Sequence, residues 1–77
     1  MNKMNRKQLS DLISRIETIH EELDEIKDGE EEKFDNMPEN LQDSEKGEAL
    51  SEVIDFLDSA SESLNECVES IQSAIDN

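Results

Sequence analysis

Between residues 9 and 26 the apolar side chains return every three or four positions, at Leu9, Leu12, Ile16, Ile19, Leu23 and Ile26. Alternating steps of three and four are the seven-residue repeat of a helix with one buried stripe, and a strand, with its period of two, cannot produce them. Leu9, Ile16 and Leu23 form one column, and Leu12, Ile19 and Ile26 a second. Ile13 and His20 widen the stripe on one side. The same repeat governs the second half of the chain. Leu50, Leu57, Leu64 and Ile71 form one column there, and Val53, Ala60, Cys67 and Ala74 the next. Ile54, Val68 and Ile75 widen it, with Ser61 as the exception. This run of heptads in phase predicts a helix from about 44 to 75. Ser44 is a suitable N-cap, and Glu45 and Glu48 suit the positive end of the helix dipole.

The end of the first helix is set by competing signals. Asp28-Gly29 reads as a stop, yet Phe34 and Met37 stay near the stripe beyond it. A glycine inside a helix costs only about 1 kcal/mol relative to alanine. Pro38 is the harder stop, because it also drives the preceding residue out of helical geometry. The expectation is therefore a helix from about 5 to 35, weakened at Gly29, a turn over 36–43, and two arms of nearly equal length. Equal arms fit an all-α antiparallel hairpin of coiled-coil type forming one domain over 1–77. A stripe three columns wide exceeds what two helices can cover. A homodimer closing into a four-helix bundle is the simplest way to cover the rest, and a foreign partner docking there is the alternative.

Seventy-seven residues bury little surface, and small folds usually add staples. Cys67 is the sole cysteine, so no intrachain disulfide forms, and no Cys/His spacing suits zinc. No apolar run approaches the roughly 20 residues that span a bilayer. The segment after Lys3, Arg6 and Lys7 is amphipathic and carries acids, unlike the apolar core of a signal peptide. These features lead to the expectation of a cytoplasmic, non-enzymatic protein with no cofactor and no membrane contact.

The net charge is −15, and it is uneven. Residues 1–20 carry a net +2 and residues 21–77 a net −17. Such a body repels nucleic acid and anionic membranes, so direct nucleic-acid binding is not expected, and it attracts basic protein surfaces. The second helix concentrates the feature. Glu48, Asp55, Glu62, Glu69 and Asp76 stand seven apart, and Glu45, Glu52 and Glu66 form a neighbouring column with Ser59 in the gap. Lys46 is the only basic residue among them. Outward helix positions are ordinarily just solvated, but ordinary surfaces mix signs, because like charges at i, i+4 destabilise a helix. Carboxylates one turn apart stand roughly 5–6 Å from each other at Cβ. Phosphates along a DNA strand rise about 3.4 Å per step. The match is loose, and it gives the acidic face, with Glu48, Glu52, Asp55, Glu62, Glu66 and Glu69 as its determinants, a reading as a mimic of nucleic acid.

Other candidates are weaker. Glu17 and His20 have the E-x-x-H spacing of bundle di-iron sites, but the chain has one copy and no inward glutamates on the second helix, so the metal-site expectation is none. His20 reads instead as a ring flanking the core. Cys67 reads as a small core hydrophobe. Asp28 to Glu39 lacks the alternating acids of a calcium loop. Lys3, Arg6 and Lys7 are expected to pair with acids near the chain's end, such as Asp76.

The segment from Phe34 to Gln42, FDNMPENLQ with its following Asp-Ser, resembles the turn of small acidic helical-hairpin proteins encoded by phages and prophages of Gram-positive bacteria. The resemblance extends over about residues 9–75, and its specific part is the turn. It implies a mobile-element origin, a bacterial host cytoplasm and a helical hairpin, and it carries no established activity. In that turn Phe34, Met37 and Leu41 are expected to tuck into the hairpin end while Asn36, Pro38 and Asn40 reverse the chain. The functional expectation is a phage-type binding protein that blocks the basic, nucleic-acid-binding surface of a host or defence protein, as anti-restriction or anti-CRISPR mimics do. The rival is a structural or adaptor coiled coil acting through its apolar stripe, Leu9, Leu12, Ile16, Ile19, Leu23, Ile26, Leu50, Val53, Leu57, Leu64 and Ile71.

Overall fold

The computed structural model describes all 77 residues as two long helices folded back on each other. Helix α1 spans Lys3–Asp35, a short α2 spans Glu39–Gln42, and α3 spans Glu45–Asp76. The arms are 33 and 32 residues long, so the equal-armed antiparallel hairpin read from the sequence is what forms. The particle is a rod of 58 × 16 × 12 Å. No helix is long and apolar enough to cross a membrane.

Local chemistry fixes both ends of each arm. The Asn2 side chain accepts from the Asn5 backbone N–H at 2.7 Å and caps α1. Ser44 caps α3, where its Oγ accepts from the Gly47 N–H, as its place before the acidic first turn implies. Gly29 does not interrupt α1, which runs straight through it. The C-terminal carbonyls of α1 would ordinarily be met by a glycine in the left-handed region, but no residue here has a positive φ. Gln42 takes that role instead: its amide donates to the Phe34 and Met37 carbonyls at 2.9 and 3.3 Å. Pro38 starts α2 and accepts from the Leu41 and Gln42 N–H groups. Phe34 and Met37 do tuck in, half-buried, whereas Leu41 stays largely exposed.

The turn is pressed onto α3 at one residue. A side chain at Gly47 would overlap the Gln42 carbonyl and the Leu41 oxygen. Gly47 is buried for that reason, and its value lies in close approach rather than in backbone freedom.

The seam between the arms follows the heptad, with a phase on α1 that differs from the two columns first assigned as core. Leu9, Ile13, Ile16, His20, Leu23, Asp24, Lys27, Glu30 and Phe34 are the covered positions of α1, with Met37 just beyond its end. On α3 they are Gly47, Leu50, Ile54, Leu57, Ser61, Leu64, Val68, Ile71 and Ile75. Leu12, Ile19 and Ile26 therefore lie outside the seam, with Ile19 and Ile26 51% and 59% exposed. Val53 is exposed too, and so is Cys67, which corrects its assignment to the core. The column Ile13–His20–Lys27–Phe34, of which the sequence pattern marks Ile13 and His20 as a widening of the stripe, meets α3 together with Leu9, Ile16 and Leu23. Ile13 is the only apolar residue below a tenth exposed, at 8%.

Candidate functional site

The heptad that sets the seam also sets where the charge points. Glu48, Glu52, Asp55, Glu62, Glu66 and Glu69 are all exposed. They stand on the side of α3 away from α1, and the seven-residue column Glu48–Asp55–Glu62–Glu69 climbs about 10.5 Å per repeat along the rod. None of the six takes part in an ion pair. The chain's lysine–carboxylate ion pairs join Lys27 to Asp58 and Lys33 to Glu30, and His20 contacts Asp24. Nothing within the molecule neutralises this face, so its field is free to act on a partner.

The expected neutralisation by the basic start does not occur. Arg6 reaches the end of α3, but its guanidinium donates to the Asn77 carbonyl at 3.4 Å and not to Asp76. Asp76 instead accepts from Gln72 at 3.0 Å.

A polar cluster crosses the middle of the seam: Ser61 is the exception in the apolar pattern of the sequence, His20 the ring flanking the core, and Asp24 a residue the pattern does not mark. Ser61 is 8% exposed. Its hydroxyl donates to Asp24 Oδ1 at 2.8 Å and meets His20 Nε2 at 2.6 Å. A hydroxyl has one proton, so when Ser61 donates to Asp24 its oxygen is left to accept from a His20 Nε2–H. The trio has the residue types of a hydrolytic triad without its geometry. In a relay, serine and carboxylate sit on opposite ring nitrogens. Here Asp24 and Ser61 both face Nε2, with Asp24 Oδ2 at 3.3 Å, and Ser61 is shut in the seam. The cluster acts as a pin: full hydrogen bonding is available only when His20 and Ser61 stand at the same level, so it fixes register.

Two turns nearer the hairpin end, Lys27 donates to Asp58 at 3.0 Å. That hydrogen bond is the main reason its ammonium is held above the ordinary lysine value of 10.5. The charges of Asp58, Glu31 and Asp24 add to the effect, and desolvation opposes it. Asp24, Glu31 and Asp58 therefore share one flank of the seam.

No three of the His, Cys, Asp and Glu side chains converge as metal ligands. The only concavity is a shallow surface dip beside Gln8, Asp11, Leu12 and Arg15. Comparisons with family models, with curated proteins and with solved structures return no match to this chain.

Proposed function

We propose that this protein acts by binding, and that the face of α3 carrying Glu48, Glu52, Asp55, Glu62, Glu66 and Glu69 occupies a basic protein surface that otherwise holds nucleic acid. One observation carries the reading: six exposed carboxylates on one rigid helix, none of them paired within the molecule. A rigid rod presents these charges without the ordering cost that a flexible acidic tail would incur on binding. The phage-type resemblance of the turn agrees with a partner in a host or defence system.

The test uses the immobilised chain and a bacterial lysate. The expected captured protein elutes with rising salt and with added duplex DNA, because both compete for the same positive surface. Neutralising the six acids to Gln and Asn lowers its affinity about a hundredfold, or about 2.7 kcal/mol. A captured partner whose affinity is the same at low and high salt would refute the mimic. The adaptor reading is favoured by a different observation, the exposed apolar residues outside the seam, and its binding would be salt-tolerant.

A further inference from the structure

Those exposed apolar residues are not scattered. In an antiparallel pair, the columns on either side of the seam face their own kind across it, so the two helices share each flank. Asp58, bonded to Lys27, and Asp24 and Glu31, one turn either side of Lys27 on α1, mark one flank. Leu12, Ile19 and Ile26 from α1 then share the opposite flank with Val53, Ala60, Cys67 and Ala74 from α3. The cross-helix pairs His20–Ser61, Lys27–Asp58 and Arg6–Asn77 set the levels. Ile26 falls between Val53 and Ala60, Ile19 between Ala60 and Cys67, and Leu12 between Cys67 and Ala74. The flank is a ladder of large residues from one helix alternating with mostly small ones from the other.

From this geometry we infer that the flank is the interface for a second copy of the same chain, related by a two-fold axis running along the rod. Such an axis lays α1 of each copy over α3 of the other at unchanged levels. Each Leu or Ile then drops between two smaller side chains of the partner, as knobs into holes. A two-fold across the rod would set large on large and small on small and leave the gap uneven.

Surface area and charge agree. A folded monomer of 8.8 kDa exposes about 4,800 Å², whereas this chain exposes 5852 Å², an excess of about 1,100 Å². A standard interface removes about 800 Å² per partner, so one copy on this flank accounts for most of the excess. Charge sets the choice of flank. For a chain of −15, self-association demands a face almost free of acid. The ladder itself has none; beside it on α3 stand Ala49, Phe56, Ser63 and Ser70, and beside it on α1 Gln8, Arg15, Glu22 and Gly29, whose one acid is matched by one base. The acidic face of α3 points elsewhere and stays open in the pair.

Light scattering on the full chain at high micromolar concentration reads the result directly. The expected mass is twice the 8.8 kDa of one chain, and Ile19→Glu reduces it to one chain. Asp55→Asn leaves it doubled. Because a separated hairpin has few buried residues and could unfold, the wild-type thiol supplies a second readout. Cys67 is exposed in one chain and covered in the pair, so its reaction with a disulfide reagent slows as protein concentration rises. A wild-type particle of one chain mass, or a Cys67 rate independent of concentration, overturns the proposal and leaves the flank to a partner of different sequence.

Discussion

On one flank of the seam Asp24, Glu31 and Asp58 gather around Lys27, and Ser61 and His20 meet behind them. On the other, Leu12, Ile19, Ile26 and Val53 stand exposed, with polar side chains at its α1 edge near Leu12. Both flanks are written by the same heptad, two residues apart in phase, as Asp24 and Ile26 or Asp58 and Ala60 show. The polar flank contains the hydrogen bonds that fix which residue stands beside which, and it adds little buried area. The apolar flank contains the area that one hairpin fails to bury, and it has no directional contact of its own. Register and cohesion are thus supplied by opposite sides, and the ladder of the apolar flank is aligned only because the polar one holds the arms in step.

The largest expected effect comes from disturbing the contact that starts this alignment. Gly47→Ala forces a side chain into the Gln42 carbonyl, which belongs to backbone and cannot swing away. Overpacking of this kind costs about 1–3 kcal/mol against a propensity gain of about 1 kcal/mol, so the upper part of the range is needed to win. The severity of the overlap places the change there, with a net loss of about 2 kcal/mol in thermal unfolding followed by circular dichroism. Gly29→Ala is the control, since nothing lies within 4 Å of its added carbon. It should stabilise the hairpin by about 1 kcal/mol. Equal effects at the two glycines would show that the turn does not seat on α3 as described.

Ser61→Ala comes next. It strands the His20 and Asp24 groups that share the hydroxyl and should cost about 1 kcal/mol. If register resides in the polar flank, the variant also broadens the amide resonances of the apolar ladder, which it does not touch. A variant that loses stability while those resonances stay sharp would assign register to the turn alone. The smallest effect is that of Lys27. Its folded-state value lies above 10.5, so its contribution is complete below about pH 10.5 and is lost as pH rises through the folded value. Alkaline titration should therefore show a shallow loss of stability above that pH, absent in Lys27→Met.

The heptad, the helix ends, the Ser44 cap and the hairpin were legible because each is dictated by residues close in sequence. The phase of α1 was not. Leu12, Ile19 and Ile26 are more apolar than His20, Lys27 and Glu30, so a reading by hydrophobicity places the seam one column over. What decides it is α3, where Ser61 and Asp58 offer partners to His20 and Lys27 across 41 and 31 residues of chain. Gly47 was invisible for a similar reason, since its requirement comes from a turn that folds onto it. The six acids of the candidate face stand where the sequence placed them, because outward positions on a helix follow from the repeat alone.

Gln42, which closes the turn through the Phe34 and Met37 carbonyls, also has a consequence in time. Every cross-helix contact becomes cheaper once the one nearer the turn exists, since the loop left to close is then a few residues. Arg6 and Asn77, 71 residues apart, can meet at little entropic cost only after the rest has joined. Hydrogen exchange should therefore report a gradient of protection along the rod, slowest beside Gln42 and fastest at the two termini, rather than a single cooperative value.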